Sequence, residues 1–293
     1  MLLHMFSNYV LQAILVAACW GGNYIAARYA LNEMPPMLLL CLRFIATSAL
    51  LLPFFPRPVG KVKDIAIISF FLGVLHFPLM FVPIHMGMDV STSVIASQLG
   101  VPFSCLLGII FFKETIGRWR ALGMLISFIG IIIICGSPRI MQQYIPFIIA
   151  CCSALAWAVS NIYMKRFATV NMLGVLAWTS LFAAPQLAVL SWLFEDGQLQ
   201  IMQQASVKAW LSLSYTVVLS TIVAYGLWFH LMSRHPVNVI VPYSLLIPPF
   251  GLTFIHITFD EPLSLQFIIG GIFTIIGVGI IVLRRSHHAG KSG

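Results

Sequence analysis

The feature that most constrains this chain is a succession of apolar stretches, each about 20 residues long and separated by short polar or Pro/Gly-containing breaks. A helix of that length crosses the hydrocarbon core of a bilayer. Lipid offers no hydrogen-bond partner to backbone groups, so each stretch is expected to satisfy them internally as a helix; the sequence lacks the alternating pattern of barrel strands. We predict an all-α integral membrane protein with ten transmembrane helices. The predicted spans cover residues 9–31, 36–56, 64–86, 91–112, 117–136, 144–167, 171–193, 208–232, 236–258 and 263–283.

The composition excludes a soluble fold. Apolar residues make up 60% of the 293 residues and charged residues only 8%, with a mean hydropathy of +0.99, whereas soluble domains carry about 25% charged residues. The net charge of +8 comes from basic residues scattered between apolar runs, so no nucleic-acid partner is expected. The six cysteines lie within apolar runs without the spacing of a zinc site, and we predict no metal site and no cofactor.

Lysine and arginine in the predicted loops indicate the orientation. With the N-terminus inside, twelve of these residues fall on the cytoplasmic side and two, Arg139 and Lys208, on the opposite side. This excess follows the positive-inside rule, so both termini are expected in the cytoplasm. The cytoplasmic set comprises Arg57, Lys61, Lys63, Lys113, Arg118, Arg120, Lys165, Arg166, Arg234, Arg284, Arg285 and Lys291.

Two similar segments lie 147 residues apart in the chain. VPFSCLLGIIFFKET covers residues 101–115, and a related sequence, IPPFGLTFIHITFDEP, covers residues 247–262. One charge is reversed between them, because Lys113 aligns with Asp260. The matched pairs are Val90 with Val237, Ser97 with Ser244, Pro102 with Pro249, Phe103 with Phe250, Phe112 with Phe259, Glu114 with Glu261, Gly123 with Gly270 and Gly130 with Gly277, and Trp20 matches Trp157 at an offset of 137. The pattern predicts an internal duplication.

Five helices per copy is an odd number, so the second copy is expected to enter the membrane inverted. Lys113 then lies at a cytoplasmic corner and Asp260 at an outer corner, which accounts for the reversed charge. We predict residues 1–138 as the first five-helix repeat, residues 139–285 as the second, inverted repeat, and residues 286–293 as a polar cytoplasmic tail. Inverted repeats are typical of secondary transporters that bind substrate near the midplane. The alternative is a duplication that only builds a stable bundle.

Four segments in the two halves carry motifs in a characteristic order. They read ACWGGNYIAARYAL at residues 18–31, LRFIATSALLLP at 42–53, FFKETIGRWRALGMLISFIGIIII at 111–134 and FDEPLSLQFIIGGIFTIIGVGIIV at 259–282. Together they resemble the EamA family of the drug/metabolite transporter superfamily. The resemblance implies a ten-helix exporter or facilitator of small metabolites, commonly amino acids, in the bacterial cytoplasmic (inner) membrane. It also implies a central cavity lined by helices one, three and four and their second-half partners, with Glu114 and Glu261 only at hairpin corners.

Polar and aromatic side chains near the middle of a span are costly against lipid and therefore tend to face a cavity. Trp20, Asn23 and Tyr24 share one face of the first span through their helical spacing. No catalytic residue is predicted. The predicted substrate-binding residues are Trp20, Asn23, Tyr24, His76, Gln98, Trp157, Asn161, Tyr225, Tyr243 and Ser244.

These polar and aromatic residues also have purely structural interpretations. The asparagines and tyrosines are able to hydrogen-bond a neighbouring helix, and the tryptophans to fill space at the lipid. His76 is either a proton-sensitive ligand or a neutral imidazole bonded to a backbone carbonyl beside Pro78 or Pro83. Trp228 is expected to anchor the protein at the cytoplasmic interface. Arg43 is expected to snorkel outward or to pair with Glu33 or Asp89.

Glycine and proline positions predict where the helices approach closely and where they bend. Small residues in the fifth and tenth spans indicate a close helix contact, either within a scaffold or at a homodimer face. Prolines within the third, fourth and ninth spans are expected to bend those helices. The glycines are Gly123, Gly130, Gly270, Gly271, Gly277 and Gly279, and the prolines are Pro78, Pro83, Pro102, Pro242, Pro248 and Pro249.

The interiors of the predicted spans contain no Asp or Glu, which disfavours an antiporter built on a membrane carboxylate. The predicted chamber is aromatic and nearly uncharged, which suits amino acids with apolar or aromatic side chains. We therefore predict a secondary transporter, an exporter or facilitator of small metabolites working by alternating access. Its partners are a small-molecule substrate and the lipid bilayer, and monomer and homodimer are both open. The alternatives are a proton-coupled drug/metabolite antiporter, an intramembrane enzyme and a non-transporting membrane partner protein.

Overall fold

The computed structural model describes residues 9–56, 60–88, 90–113, 117–135, 144–167, 171–259 and 265–283. Every regular element in this part of the chain is helical. Glu114, Asp260 and Glu261 of the predicted hairpin corners lie outside the described residues, as do Asp89 and the predicted tail 286–293.

We number the principal helices α1 to α10 and leave unnumbered a short helix, Gln198–Gln204, that connects α7 to α8. Several of the ten consist of consecutive pieces with different helical geometry. They are α1 (Tyr9–Leu31), α2 (Pro36–Leu51, extended by Leu52–Phe54), α3 (Val62–Ile68, Ser69–His76 and Phe77–His85), α4 (Val90–Ser97 and Gly100–Phe112), α5 (Arg118–Cys135), α6 (Tyr144–Met164, extended by Lys165–Phe167), α7 (Met172–Phe194), α8 (Val207–Tyr215, Thr216–Tyr225 and Gly226–Arg234), α9 (Val237–Ile240, Val241–Leu246 and Ile247–Phe259) and α10 (Leu265–Leu283).

Length and composition identify helices that are able to cross a membrane. Among the described residues there are seven: Tyr9–Leu31, Pro36–Phe54, Val62–His85, Tyr144–Met164, Met172–Phe194, Val207–Arg234 and Val241–Thr258. Shorter apolar helices, Phe103–Phe112, Ala121–Gly130 and Ile268–Gly277, lie in α4, α5 and α10. This all-helical, apolar architecture is that of an integral membrane protein.

Two helices, α3 and α8, widen into π-helical turns part way along their length. The π segment is Ser69–His76 in α3 and Thr216–Tyr225 in α8. In α3 it ends beside Pro78, which has no N–H to donate, and the Phe77 N–H bonds Leu72 O five residues back. Such turns shift the side chains that follow them and are frequent at functional sites.

The α4 and α9 helices are interrupted next to their prolines. In α9, Pro248 lacks the N–H that would bond Ser244 O, and the Ile247 N–H takes that carbonyl in a tighter, three-residue turn. In α4, the Val101 N–H bonds Gln98 O at 3.0 Å in the same three-residue pattern, just before a proline. Ser244 and Gln98 are therefore held at breaks in their helices.

The helices pack in specific pairs. α2 lies along α7 and α5 along α10, while α1 contacts α8 and α9, and α6 contacts α3 and α4. At Gly277 of α10 a Cβ would lie 2.5 Å from Gly123 O and 2.6 Å from Ser127 N of α5. Only glycine permits this approach. The close contact that the glycines predicted for these two helices is confirmed.

Two element boundaries inside the described stretches recur at one spacing along the chain. The pairs of first residues that lie 147 positions apart are Ser69 and Thr216 for the π segments, and Gly100 and Ile247 for the later pieces of α4 and α9. The same spacing separates the aligned sequence segments.

Two glutamates between the helices hold one end of the bundle. Glu195 accepts hydrogen bonds from the N–H groups of Met37 at 2.6 Å and Leu38 at 2.9 Å, in the first turn of α2, where an anion is favourable. Glu33 accepts from the backbone N–H of Ser206 at 2.7 Å and from its hydroxyl at 2.6 Å. These hydrogen bonds from Ser206 hold the pKa of the Glu33 carboxyl below its usual value.

Candidate functional site

A cavity of about 50 Å³ lies between α1, α3, α4, α6, α8 and α9. Eight of the ten predicted binding residues line it, whereas Asn161 and Tyr243 do not. The eight are Trp20, Asn23, Tyr24, His76, Gln98, Trp157, Tyr225 and Ser244. Sequence reasoning missed five further lining residues, which are Phe77, Met80, Ser97, Ser220 and Ile247.

The missed lining residues gave weak sequence signals. Phe77, Met80 and Ile247 are apolar residues in apolar spans and resemble ordinary packing residues. Ser97 was identifiable, because it aligns with the predicted Ser244 across the 147-residue offset. Ser220 carries no comparable signal.

An aromatic cluster forms one wall of the cavity. The ring of Trp20 lies 4.7 Å from that of Tyr225 and 6.3 Å from that of Trp157, measured between ring centroids. The Trp20 indole N–H donates to Ser220 O at 3.2 Å, which fixes the ring across the gap between α1 and α8. The wall therefore combines side chains from α1, α6 and α8 and depends on their packing.

Trp228 is fully buried and belongs to this cluster. Its ring stacks on Trp157 at 5.4 Å and lies 5.1 Å from Trp20. The expectation that Trp228 anchors the protein at the membrane interface is therefore wrong. The cause is a polar partner inside the bundle: the indole N–H donates to Asn161 Oδ1 at 2.9 Å.

Asn161 and Tyr243 lie in the packing around the cavity. Asn161 joins three helices, since it accepts from Trp228 and its amide group donates to Ser104 Oγ at 3.1 Å. Tyr243 is buried, with its ring edge-on to Tyr9 at 6.4 Å. Both side chains support the site without lining it.

His76 lines the cavity and is tied to α6 through Ser153. The Ser153 hydroxyl donates to His76 O at 2.9 Å, and the Ser153 carbonyl lies 3.1 Å from Nδ1. Nδ1 also lies 2.9 Å from the Ser153 hydroxyl oxygen. A protonated Nδ1 serves both oxygens of Ser153, and in that tautomer Nε2 is an acceptor. His76 thus contacts a backbone carbonyl while it lines the cavity, but that carbonyl belongs to Ser153 of α6 and not to the region of Pro78 and Pro83.

Two buried amide oxygens in the cavity wall lack hydrogen-bond partners among the described residues. They are Asn23 Oδ1 and Gln98 Oε1. The Gln98 amide N–H groups are engaged, at 3.3 Å from Ser97 Oγ and 3.4 Å from Val94 O, and Tyr24 also donates to Ser97 Oγ, at 3.2 Å. A buried acceptor without a partner costs about 1–3 kcal/mol. The cavity thus favours a ligand that donates hydrogen bonds.

Arg43 is fully buried, 0% exposed, beside the cavity. Its Nε donates to Thr221 Oγ1 at 2.6 Å and its Nη2 to Ser220 Oγ at 3.3 Å. The guanidinium carbon lies 4.3 Å from the centre of the Phe77 ring. The expectation that Arg43 snorkels outward is wrong, because hydroxyls of the α8 π segment and an aromatic face of α3 receive it inside the bundle. Glu33, one of the two expected carboxylate partners, is bonded to Ser206 instead, and the other, Asp89, lies outside the described residues.

A larger cavity of about 330 Å³ lies at the end of the bundle, between the ends of α1, α3 and α7. It is acidic, with Glu33, Glu195 and Asp196 in its wall together with His85. Both glutamates already accept hydrogen bonds: Glu33 from Ser206, and Glu195 from the first turn of α2. Among the described residues there is no group of three or more His, Cys, Asp or Glu side chains placed to hold a metal ion.

Two regions of the chain, residues 7–136 and 145–283, each match the EamA-like transporter family. The chain is 27% identical to a protein of Salmonella typhimurium strain LT2 named "Probable amino-acid metabolite efflux pump", over 92% of this chain and 93% of that protein. A protein of Escherichia coli K12 with the same name is 26% identical with the same coverage. The transporter YoaV of Bacillus subtilis strain 168, which is named uncharacterized, is 21% identical over 92% of this chain and 94% of its own length.

The fold also matches a protein whose crystal structure is known. The two superpose with a TM-score of 0.77 over 94% of this chain and 97% of the other, at 18% sequence identity. The chains therefore share an architecture.

Proposed function

Because the chain belongs to the EamA-like transporter family, and is therefore a multi-pass membrane transporter and not an enzyme, we propose that it exports small metabolites or facilitates their passage. The proposed substrates are amino acids with apolar or aromatic side chains, moved by alternating access. The relatives named amino-acid metabolite efflux pumps support this substrate class.

One observation carries the proposal: the cavity combines an aromatic wall with buried acceptors that have no partner in the part of the chain that the structure describes. Trp20, Trp157 and Tyr225 offer ring surfaces to an apolar side chain and to an ammonium group. Asn23 Oδ1 and Gln98 Oε1 gain the hydrogen bonds they lack when an ammonium donates to them. An apolar amino acid carries both features.

The proposal includes ten spans in two inverted five-helix repeats, residues 1–138 and 139–285, with both termini in the cytoplasm of a bacterium. The recurrence of element boundaries at 147 residues supports a duplication. The first helix of each proposed repeat packs on the third and fourth helices of the other repeat: α1 packs on α8 and α9, and α6 packs on α3 and α4. This reciprocal packing supports a two-fold axis between the repeats. Inverted repeats place the substrate where the two copies meet, which is where Trp20 and Trp157 approach each other.

Alternating access requires the cavity to open and close. Its volume of about 50 Å³ is far below the roughly 300–1,000 Å³ of a typical small-molecule site. In our proposal this is an occluded conformation, and the Trp20–Trp157 contact separates when substrate enters. The breaks in α4 and α9 and the π segments of α3 and α8 provide places where the helices bend.

A facilitator is favoured over a proton antiporter. Among the described residues that line the cavity, none is Asp or Glu. The antiporter remains the second candidate on one observation: His76 lines the cavity with Nε2 as an acceptor, which a proton is able to occupy.

Flux measurements in proteoliposomes test the proposed function. We expect apolar and aromatic amino acids to cross faster than in empty liposomes, with and without a pH gradient. Trp20→Ala should lower flux by about tenfold, since it removes a ring contact of the order of a kcal/mol and its bond to Ser220. Trp192→Ala is the matched control, because Trp192 is 77% exposed on α7.

Two results would argue against this function. Equal flux through the Trp20→Ala and Trp192→Ala variants would show that the substrate does not pass through the cavity. Flux that requires a proton gradient and disappears in His76→Gln would replace the facilitator by the antiporter.

A further inference from the structure

The Arg43 guanidinium carries a buried charge that no carboxylate of the described residues neutralises. It is 0% exposed, and among the described residues no carboxylate makes an ion pair with it. Its Nη1 has no hydrogen-bond acceptor in the described structure. Arginine stays charged at neutral pH, and an isolated charge inside a membrane protein is expensive. A buried cation of this kind is normally retained to meet an anion.

Arg43 lies one side chain behind the surface of the cavity. Ser220 and Phe77 both line the cavity, and both contact the guanidinium, at 3.3 Å from Nη2 and 4.3 Å from Cζ. Ser220 therefore links the charge to the cavity. Its position is fixed on the other side by the Trp20 indole, which donates to the Ser220 carbonyl.

The Ser220 hydroxyl is oriented by its bond to Arg43. Ser220 Oγ accepts from Nη2 and has no acceptor for its own proton among the described residues. A hydrogen bond accepted from a cation draws electrons from the hydroxyl oxygen, so the hydroxyl proton becomes a stronger hydrogen-bond donor. The neighbouring Thr221 does not compete, since its hydroxyl already donates to Thr216 O at 2.7 Å.

The hydrogen-bond acceptors without partners and the donor backed by Arg43 lie on different helices around the cavity. Asn23 and Gln98 present acceptors without a partner among the described residues, and Gln98 and Tyr24 both donate to Ser97 Oγ. The donor side, Ser220 with Arg43 behind it, adjoins Trp20. Trp20 and Tyr24 are one turn apart on α1, about 6 Å along the axis. One small zwitterion is able to reach both sides.

We infer that Arg43, acting through Ser220, forms a carboxylate subsite in the cavity wall, so that the protein selects carboxylate-bearing zwitterions over the corresponding amines and esters. This inference rests on the proposed function and specifies its substrate class. The ammonium is held by the acceptors of α1 and α4, and the carboxylate accepts from Ser220 and, after a small shift of that side chain, from Arg43 Nη1 or Nη2.

Binding of matched acid and ester ligands to the purified full chain tests this inference. The probes are L-phenylalanine and L-leucine, each compared with its methyl ester, which keeps the ammonium and side chain and lacks the anion. The wild-type protein should bind each acid about 10- to 100-fold more tightly than its ester, the range of a charge-assisted hydrogen bond. Equal binding of acid and ester to the wild type would overturn the inference.

Serine variants in α8 locate the subsite. Ser220→Ala removes one hydroxyl and should reduce the acid preference by about tenfold, because binding of the acid weakens more than binding of the ester. Ser214→Ala is the matched control, because Ser214 is exposed and its hydroxyl bonds Trp210 O within the same helix. An acid preference that is the same in both variants would show that the carboxylate is held elsewhere.

A second pair of variants tests the charge itself. Thr221→Asp places a carboxylate against Arg43 Nε and outside the cavity lining, so it should supply an internal counter-ion and abolish the acid preference. Thr221→Asn has nearly the same shape without the charge and should keep the preference. Equal selectivity in the two Thr221 variants would overturn the role of Arg43.

Transport separates failure of this inference from failure of the proposed function. If amino acids are transported but acid and ester bind alike, the carboxylate subsite is wrong and the transporter remains. If the wild type neither binds nor transports any amino acid of the panel, both proposals fall together.

Discussion

Single residues in this bundle differ chiefly in whether their buried polar atoms have partners. Asn23 and Asn161 each follow a mid-helix tryptophan by about one turn. Both amide atoms of Asn161 have partners, Trp228 and Ser104, whereas Asn23 Oδ1 has no partner in the described structure. The same residue type in a similar setting therefore supports the fold in one helix and faces the cavity in another.

The bond between Asn161 and Trp228 offers a test of this distinction. Asn161→Leu leaves the buried indole N–H without an acceptor and should lower the free energy of unfolding by about 1–3 kcal/mol. Trp228→Phe should have a cost of similar size, because it leaves Asn161 Oδ1 without a donor. The double variant should cost less than the sum, since both partners are removed. Thermal unfolding in detergent measures all three, and strictly additive costs would contradict the bond.

Glu33 predicts a pH dependence at the end of the bundle. Hydrogen bonds from Ser206 lower the pKa of the Glu33 carboxyl, so the ionised form is stabilised by folding. The contribution is complete above the ordinary glutamate pKa of about 4.3 and is lost as the pH falls through the lowered folded value. The Tm of the wild type should therefore exceed that of Glu33→Gln at pH 7, and the difference should shrink as the pH falls below the ordinary glutamate pKa of about 4.3. A difference in Tm that is constant across this range would exclude Glu33 as its source.

Whole elements are positioned by close backbone contact as well as by side-chain packing. The α5–α10 contact excludes a Cβ at Gly277, whereas a Cβ at Gly279, two positions later, meets nothing within 4 Å. The obstructing atoms at Gly277 include the backbone of α5, which has no rotamer to change. The two helices must therefore move apart if Gly277 is replaced.

Paired glycine substitutions in α10 test this contact. Gly277→Ala should destabilise the protein by about 1–3 kcal/mol, the usual cost of overpacking a close contact. Gly279→Ala should be neutral or stabilising, because alanine is the better helix former by about 1 kcal/mol. Thermal unfolding of the two variants side by side checks the difference. Equal Tm values would mean that α5 and α10 are not in this contact.

The molecule as a whole is organised so that its two halves meet at the aromatic cluster. Trp20 and Trp157, which align between the halves, approach to 6.3 Å with their rings nearly perpendicular. The proposed inversion of one half against the other would make this junction the point that opens to each side in turn. Such a mechanism depends on the orientation of the helices across the bilayer.

Accessibility of single cysteines tests that orientation. In a chain whose native cysteines are replaced, Lys113→Cys should be protected from a membrane-impermeant maleimide in intact cells, because we place Lys113 at the cytoplasmic end of α4. Lys208→Cys should react, because we place Lys208, at the start of α8, on the outer side. Opening the cells should expose the first site. The reverse pattern would refute the proposed orientation.

Much of this architecture was predictable from local sequence. Apolar length predicted the helical membrane class, glycine spacing predicted the α5–α10 contact, and mid-span polarity selected eight of the residues that now line one cavity. These properties depend on the depth and face of a residue within its own helix. Depth and face follow from helical periodicity, which needs no knowledge of the neighbours.

Only the tertiary structure decided which polar atoms are satisfied. Arg43 meets Thr221 across 178 positions of the chain, and Trp228 meets Asn161 across 67. The sequence of α2 does not reveal Thr221, and the sequence of α8 does not reveal Asn161. The depth of each residue in its own span therefore suggested that Arg43 snorkels outward and that Trp228 anchors at the interface. Local sequence, including VPFSCLLGIIFFKET and its later counterpart, therefore predicts how the chain crosses the membrane. Contacts between distant helices determine where hydrogen-bond partners and charge are available to the proposed substrate.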